Sequence, residues 1–146
     1  MSRVIANAYR HTAASADGIT LDSSGNVSFP ANATSSGTVS DSKGNVRSIP
    51  LNSQSSAYTL VAGDAGKAVY ISTGGITIPA SVLAAGDAIT IINNSGSDQT
   101  ITQGSGLTLY NTADAATGNR TLAGRGMCTI YFASATIAYI SGAGLS

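Results

Sequence analysis

Short stretches in which apolar and polar residues alternate fill the second half of the chain. In the stretch from 128 to 132, Cys128, Ile130 and Phe132 fall on one side, and Thr129 and Tyr131 fall on the other. Glycine-rich turn signals separate such stretches at spacings of roughly 8–12 residues, which is typical of β-sandwiches and small barrels. The pattern therefore predicts an all-β protein, with a compact antiparallel β-sandwich or jelly-roll-like module and no βαβ units.

The alternation also gives approximate bounds for the strands and for one helix. A helix is predicted over Ala80–Ala85, which follows Pro79 and ends at Gly86. Glycine pairs, including the one at 124–126, are expected to form turns between strands. The predicted strands are Tyr58–Val61, Ala68–Ser72, Ile76–Ile78, Ala88–Asn93, Gln99–Thr102, Leu107–Tyr110, Arg120–Leu122, Cys128–Ala133 and Ile137–Ser141.

Several predicted strands have apolar residues on both faces. Ile89 and Ile91 share one face of their strand, while Ile92 lies on the other. A module of roughly 90 residues has room for only one core, so the second apolar face indicates an additional buried surface. We expect a homo-oligomer, with a trimer favoured.

A near-repeat marks the first third of the chain. Residues 22–30 read Asp-Ser-Ser-Gly-Asn-Val-Ser-Phe-Pro, and residues 41–50 read Asp-Ser-Lys-Gly-Asn-Val-Arg-Ser-Ile-Pro. Asp, Gly and Asn favour tight turns, Val favours an extended backbone, and Pro ends a strand. Each copy is therefore predicted to form a turn that leads into a short strand.

These features divide the chain into two predicted parts. Residues 1–53 are predicted to form an extended N-terminal attachment arm with two turn-strand motifs, and residues 54–146 to form the β-sandwich module. Small polar residues predict flexible links at 31–40 and at Asn52–Ala57.

The low charge of the chain narrows the range of partners. Charged residues make up 10% of the sequence, the formal net charge is zero, and every acidic residue is Asp. A typical soluble protein has about 25% charged residues, so oligomerisation is one way to cover such an uncharged surface. A neutral chain with scattered Lys and Arg residues favours neither nucleic acid nor a membrane as partner, and we expect neither.

The residues that usually carry catalysis or metal binding are sparse. His11 is the only histidine, and Cys128 lies mid-strand among apolar residues, as a core thiol does. The stretch 62–68 lacks two residues of a phosphate-binding loop and is better interpreted as a turn. Calcium at the pairs Asp22/Asn26 and Asp41/Asn45 stays open, although each turn offers few ligands. We therefore predict no catalytic, cofactor-binding or metal-binding residue, and no enzyme.

The tyrosines are the remaining candidates for recognition. Tyrosines on an exposed sheet can stack on sugars, although they also pack routinely at half-buried strand positions and interfaces. Packing is favoured, and contact with a host-surface glycan stays open. The five tyrosines in predicted strands are Tyr58, Tyr70, Tyr110, Tyr131 and Tyr139.

The order of these turn and strand motifs resembles a β-rich module of tailed-bacteriophage virion proteins, particularly those of cyanobacterial phages. The resemblance covers most of residues 41–146, and the opening segment from Gly18 to Val27 is similar to the beginning of longer phage fibre-like proteins. The stretches that carry the resemblance are Asp41–Lys67, Gly75–Pro79, Gly86–Ser95, Thr100–Gly104, Gly118–Ala123 and Ile140–Gly144.

The resemblance implies a structural role on the virion surface after synthesis in the host cytoplasm. A capsid-decorating or cementing protein is favoured over a long fibre, because the chain has no repetitive shaft between arm and module. The alternative is a tail-associated short fibre or adaptor that contributes to host attachment. In both cases residues 1–50 are expected to contact the phage capsid or tail proteins.

Overall fold

The structure, a computed structural model, contains two compact units that are best considered separately. The first unit is Met1–Thr38 and the second is Val39–Ser146. The residues that the structure describes are 8–9, 19–29, 33–42, 44–46 and 48–146.

The first unit contains a small antiparallel sheet in the order β1 (Ala8–Tyr9), β2 (Ile19–Leu21) and β3 (Val27–Ser28). The first copy of the near-repeat connects β2 to β3. Its Asp22 Oδ1 accepts hydrogen bonds from the backbone N–H of Ser24 at 2.9 Å and of Asn26 at 2.8 Å. The predicted tight turn leading into a strand is confirmed for this copy.

The second copy of the near-repeat folds differently. It lies in the second unit, where β4 (Ser40–Asp41) pairs antiparallel with β5 (Gly44–Asn45). Because Asp41 is directly opposite Gly44, the chain reverses before the Gly-Asn pair, and this pair forms the strand. The reversal leads into a short strand as predicted, but this strand begins at Gly44, inside the segment that was expected to form the turn.

The rest of the second unit is a nine-stranded sheet with one short 3₁₀ turn at Ala62–Asp64. The all-β prediction is therefore confirmed. The nine strands are β6 (Leu51–Gln54), β7 (Tyr58–Thr59), β8 (Ala68–Ile71), β9 (Ile76–Ile78), β10 (Ala88–Asn93), β11 (Gln99–Gln103), β12 (Thr108–Asn111), β13 (Arg120–Ser134) and β14 (Ile137–Leu145).

From β6 to β11 the chain alternates between two layers. Strands β6, β8 and β10 pair in parallel in layer one, and β7, β9 and β11 pair in parallel in layer two. Parallel neighbours need a crossover connection, and here the crossover is a strand of the opposite layer. The prediction of a purely antiparallel module is wrong for these pairs and for β12–β14, which is also parallel.

The long strand β13 joins the two layers. Its first residues pair antiparallel with β11, its later residues pair antiparallel with β10, and β14 lies antiparallel beside it. The register shifts between Leu122 and Met127, where the backbone N–H of Arg125 donates to Ser95 O at 3.0 Å. The turn predicted at 124–126 is therefore an irregularity inside one strand.

The layers form a sandwich-like module whose sheet wraps nearly into a barrel. The two ends of the strand order, β6 and β7, are separated by only residues 55–57. Isoleucines from both layers meet in the core, and Ile71, Ile91 and Ile101 each have 0% exposure. Alternation along the strands thus directs one side of each layer inward.

The predicted helix at Ala80–Ala85 is wrong. Turns occupy this segment, and Ser81 adopts a positive φ of 61°. The backbone N–H of Ser81 donates to Ala135 O, and that of Gly86 donates to Phe132 O, both at 2.8 Å. These bonds hold the segment against the sheet, and Leu83 packs in the core. The backbone N–H groups of Ser81 and Gly86 therefore bond to carbonyls at residues 135 and 132 and not to carbonyls within a helix.

The boundary predicted between residues 53 and 54 also differs from the structure. Residues 51–54, which were expected to belong to the arm and a Ser-rich link, form β6 and pair with β8. The boundary between the compact units lies at Thr38–Val39. Alternation is weak in Leu51–Gln54 because its inward side chains are the polar Asn52 and Gln54, which a hydrophobic pattern does not detect.

Candidate functional site

The most buried acidic group lies where the two ends of the sheet approach each other. Asp64 ends the 3₁₀ turn, and only 1% of it is exposed. Its Oδ1 accepts a hydrogen bond from Asn52 Nδ2 at 2.8 Å. Its Oδ2 accepts from Tyr58 Oη and from the backbone N–H of Val61, both at 2.9 Å. Asp64 thus connects β6 to β7 through side chains, in place of a strand ladder.

This cluster, which we call the seam cluster, consists of Asn52, Gln54, Tyr58 and Asp64. Gln54 Nε2 donates to Asn52 Oδ1 at 2.7 Å, which fixes the orientation of the Asn52 amide. Burial, followed by the hydrogen bond to Asp64, raises the pKa of Tyr58. The carboxylate already accepts three hydrogen bonds, so a structural role fits it better than general-base chemistry.

The stretch 62–68, considered above as a phosphate-binding loop, supplies this carboxylate. Its 3₁₀ turn is three residues long, and the Val61 N–H at its start is bonded to Asp64. A phosphate loop instead directs several free backbone N–H groups at its ligand. The local geometry therefore fits a capped turn.

The turns proposed for calcium use their oxygens internally. Besides two backbone N–H groups, Asp22 accepts a bond from Asn26 Nδ2 at 2.7 Å, and these bonds from Asn26 lower the pKa of Asp22. In the second turn, Asp41 Oδ1 accepts from the Gly44 N–H at 3.1 Å. Within the described residues, no three His, Cys, Asp or Glu side chains converge on a common point.

Cys128 is a core residue, as predicted. It lies on the inner side of β13 with 1% exposure, and burial raises the pKa of its thiol to about 12. A thiol with such a pKa is protonated at neutral pH and is a poor nucleophile. His11, the other residue considered for catalysis, lies outside the described residues.

The outer side of layer one has a different character. Strands β6, β8, β10, β13, β14 and β12 are consecutive neighbours, and their outward positions form one continuous surface, which we call the tyrosine face. The only exposed charged residue on these fully described strands is Arg125, which lies at the irregularity in β13 and donates from Nη1 to Asn94 O and Oδ1. The largest apolar and aromatic side chains of the face are Leu51, Tyr70, Ile92, Tyr110, Met127, Tyr131, Ile137 and Tyr139.

Three of these tyrosines form a row across neighbouring strands. Tyr131 of β13 is opposite Tyr139 of β14, which in turn is opposite Tyr110 of β12. The rings of Tyr110 and Tyr139 stack with centroids 5.4 Å apart and an interplanar angle of 23°. Tyr131 is 49% exposed and Tyr139 is 41% exposed. The row therefore presents aromatic surface outward.

The outer side of layer two is polar by comparison. Its outward positions pair threonine with threonine: Thr59 with Thr77, Thr77 with Thr102, and Thr100 with Thr121. We call this surface the threonine face. Its outward positions lack charge, and each of these side chains has a hydroxyl group that water can bond. The two outer surfaces therefore differ mainly in hydrophobicity.

The first unit exposes its apolar side chains. Leu21 is 37% exposed, and Val27 and Phe29 are each 52% exposed. None of the side chains that the structure describes in this unit is buried. The near-repeat predicted a turn and a short strand here but gave no sign that the apolar side chains would lack a core.

Comparison with known proteins adds no relative. A scan against protein-family models, a search of curated proteins and a search of solved structures found no match to this chain. Among the described residues, no helix has the length and apolar character needed to cross a bilayer. What the chain does is therefore inferred from its two exposed apolar surfaces.

Proposed function

We propose that this chain is a non-enzymatic structural component of a phage virion, which decorates or cements the capsid surface as an oligomer. Its first unit, Met1–Thr38, acts as the arm that attaches it to the particle. The sequence resemblance described above is the reason for choosing a phage particle.

The observation that carries the proposal is the exposure of Leu21, Val27 and Phe29 in the arm. A sheet of three strands, each two or three residues long, gains little stability without an apolar face packed on something. Burying the exposed half of Val27 or Phe29 contributes on the order of 1 kcal/mol each. An arm of this kind is stabilised by docking on another surface.

The second unit has the features of a module that is stable on its own. Its buried hydrophobic residues form one cluster, and the seam cluster leaves Asp64 fully bonded and 1% exposed. A unit with its own core keeps its fold before and after attachment. A docking segment joined to a module that has its own core suits a decoration protein.

The test replaces the exposed apolar groups of the arm in the full chain. The double variant Val27→Asp/Phe29→Asp should lose at least about tenfold in affinity for purified particles of the encoding phage, because it places charge in the docking contact. The matched control is Val82→Asp, since Val82 is an exposed apolar residue in a turn of the second unit. Co-sedimentation measures binding, and circular dichroism checks the fold.

The control variant should co-sediment as the unmodified chain does. Undiminished co-sedimentation of the double variant would show that the arm is not the attachment segment.

A further inference from the structure

We infer that the tyrosine face is the surface through which this chain binds a second copy of itself. The inference deepens the proposed function, on which it rests for the role of the oligomer on a particle.

The first step is the concentration of exposed apolar side chains on this face. Met127 is 53% exposed, Tyr131 is 49%, Tyr139 is 41% and Ile137 is 38%, and all four lie on the adjacent strands β13 and β14. Single exposed apolar residues are ordinary, whereas a contiguous group marks an interaction surface. Tyrosine and methionine are also the residue types enriched in interfaces.

The threonine face provides an internal comparison. It belongs to the same module, is built from the same kind of strands and has no charged outward residue. Its outward hydroxyls at Thr59 and Thr100 can hydrogen-bond to water. The aromatic rings and the thioether of the tyrosine face make no such hydrogen bonds to water, so burying them on association is stabilising. Burying the threonine face would bring no comparable gain.

The scarcity of charge favours a second copy over other partners. Arg125, the exposed charged residue on these strands, lies at the edge of the face and is hydrogen-bonded to Asn94. A partner that contributes charged side chains would have to desolvate them against the segment from Met127 to Ala133, which offers no opposite charge. The same segment of another copy brings no charge to the contact.

The size of the face fits an interface that uses all of it. Given strand spacings of about 4.8 Å and a rise of about 3.3 Å per residue, the six strands and the segment from Met127 to Ala133 give a surface of at most roughly 24 Å by 20 Å, because β6, β8 and β12 have only 4 residues each. Counted over two copies this is roughly 1,000 Å², which is the lower limit for a specific interface. A contact that used only part of the face would fall below that size.

Thr129 lies near the centre of the face. It is an exposed residue on β13, the fourth of the six strands, and it has Thr90 opposite on one side and Ser141 on the other. Because every copy contributes the same face, the centre of one face is covered by the other in an isologous contact. A lysine at this position would therefore be buried without a partner.

The experiment compares Thr129→Lys with Thr100→Lys in the full chain. Both residues are exposed mid-strand threonines, but Thr129 is on the tyrosine face and Thr100 is on the threonine face. Light scattering after size exclusion should show an oligomer for the unmodified chain and for Thr100→Lys. Thr129→Lys should weaken association at least about 100-fold and elute as a monomer.

Circular dichroism and the midpoint of urea unfolding at low protein concentration show whether Thr129→Lys still folds. A second variant, Thr129→Val, keeps the shape of the side chain and should remain an oligomer. A monomeric unmodified chain, an oligomeric Thr129→Lys, or equal dissociation of both lysine variants would overturn the inference. If the tyrosine face bound a glycan and the unmodified chain were a monomer, the inference would likewise be overturned.

The readouts keep this inference separate from the proposed function. Molar mass is measured without particles, whereas the arm variants are tested on particles. An oligomer that dissociates only with Thr129→Lys but never binds virions would leave the inference intact and contradict the proposed function.

Discussion

Asp64 is the residue on which the seam of the sheet depends. Its carboxylate accepts hydrogen bonds from Asn52, Tyr58 and Val61, although only 1% of the residue is exposed. A buried polar network of this kind is stabilising only when every member is satisfied. Removal of the carboxylate leaves the part-buried hydroxyl of Tyr58 without its acceptor, and Asn52 Nδ2 loses the shorter of its two hydrogen bonds.

We therefore predict that Asp64→Ala lowers the free energy of unfolding by roughly 2–4 kcal/mol, which urea denaturation measures. The matched control is Asp114→Ala, because Asp114 is exposed and accepts one local bond, from the Ala116 N–H at 2.9 Å. This control should lose less than about 1 kcal/mol. Equal losses in the two variants would show that the seam cluster does not stabilise the sheet.

The seam cluster could not be predicted from the sequence. Asp64 appeared there only within the stretch 62–68, which was interpreted as a turn, and Asn52 as part of a flexible link. Their contact depends on the parallel pairing of β6 with β8 and of β7 with β9, which local patterns do not encode. In contrast, the packed thiol of Cys128 followed from its apolar alternating neighbours, because that information is local.

At the scale of elements, alternation located strands better than it located their partners. The bounds of β9 and β10 agree with the predictions, because their inward isoleucines alternate clearly. The 15-residue strand β13 was predicted as two strands separated by a turn, since Gly124 and Gly126 are ordinary turn signals. Here they serve close packing at an irregularity in the strand.

Gly142 of β14 shows how tightly the elements pack. A Cβ built on it would collide with the carbonyl oxygen of Met127 and would lie 2.6 Å from Cys128 Cβ on the neighbouring strand. Contacts this short force the paired backbones apart. Only glycine fits at this position of the β13–β14 pair.

We predict that Gly142→Ala destabilises the fold by about 2–3 kcal/mol and increases amide hydrogen exchange along β13 and β14. Gly96→Ala is the matched control, because a Cβ built on Gly96 meets nothing within 4 Å. The control should change stability by less than about 1 kcal/mol. If amide hydrogen exchange along β13 and β14 were the same in Gly142→Ala as in the unmodified chain, this account of the strand pair would be contradicted.

At the scale of the whole molecule, composition predicted the general character of the protein better than its boundaries. A charged fraction of 10% indicated a surface covered by other subunits, and Arg125 is the one exposed charged residue on the strands of the two outer faces. Which of these faces is apolar depends on strand order, because Tyr110, Tyr131 and Tyr139 meet only through the β12–β14–β13 pairing. The boundary at Thr38–Val39 likewise depends on tertiary contacts.

The central claim is the proposal that this chain is a structural component of a phage virion, and its copy number in purified virions tests that proposal most directly. Quantitative mass spectrometry of purified virions gives this number relative to the major capsid protein. A decoration or cement protein should be present in hundreds of copies per particle, whereas tens of copies or fewer would favour the tail-associated alternative over the capsid. Absence of the chain from purified virions would contradict the claim that it is a structural component of the particle.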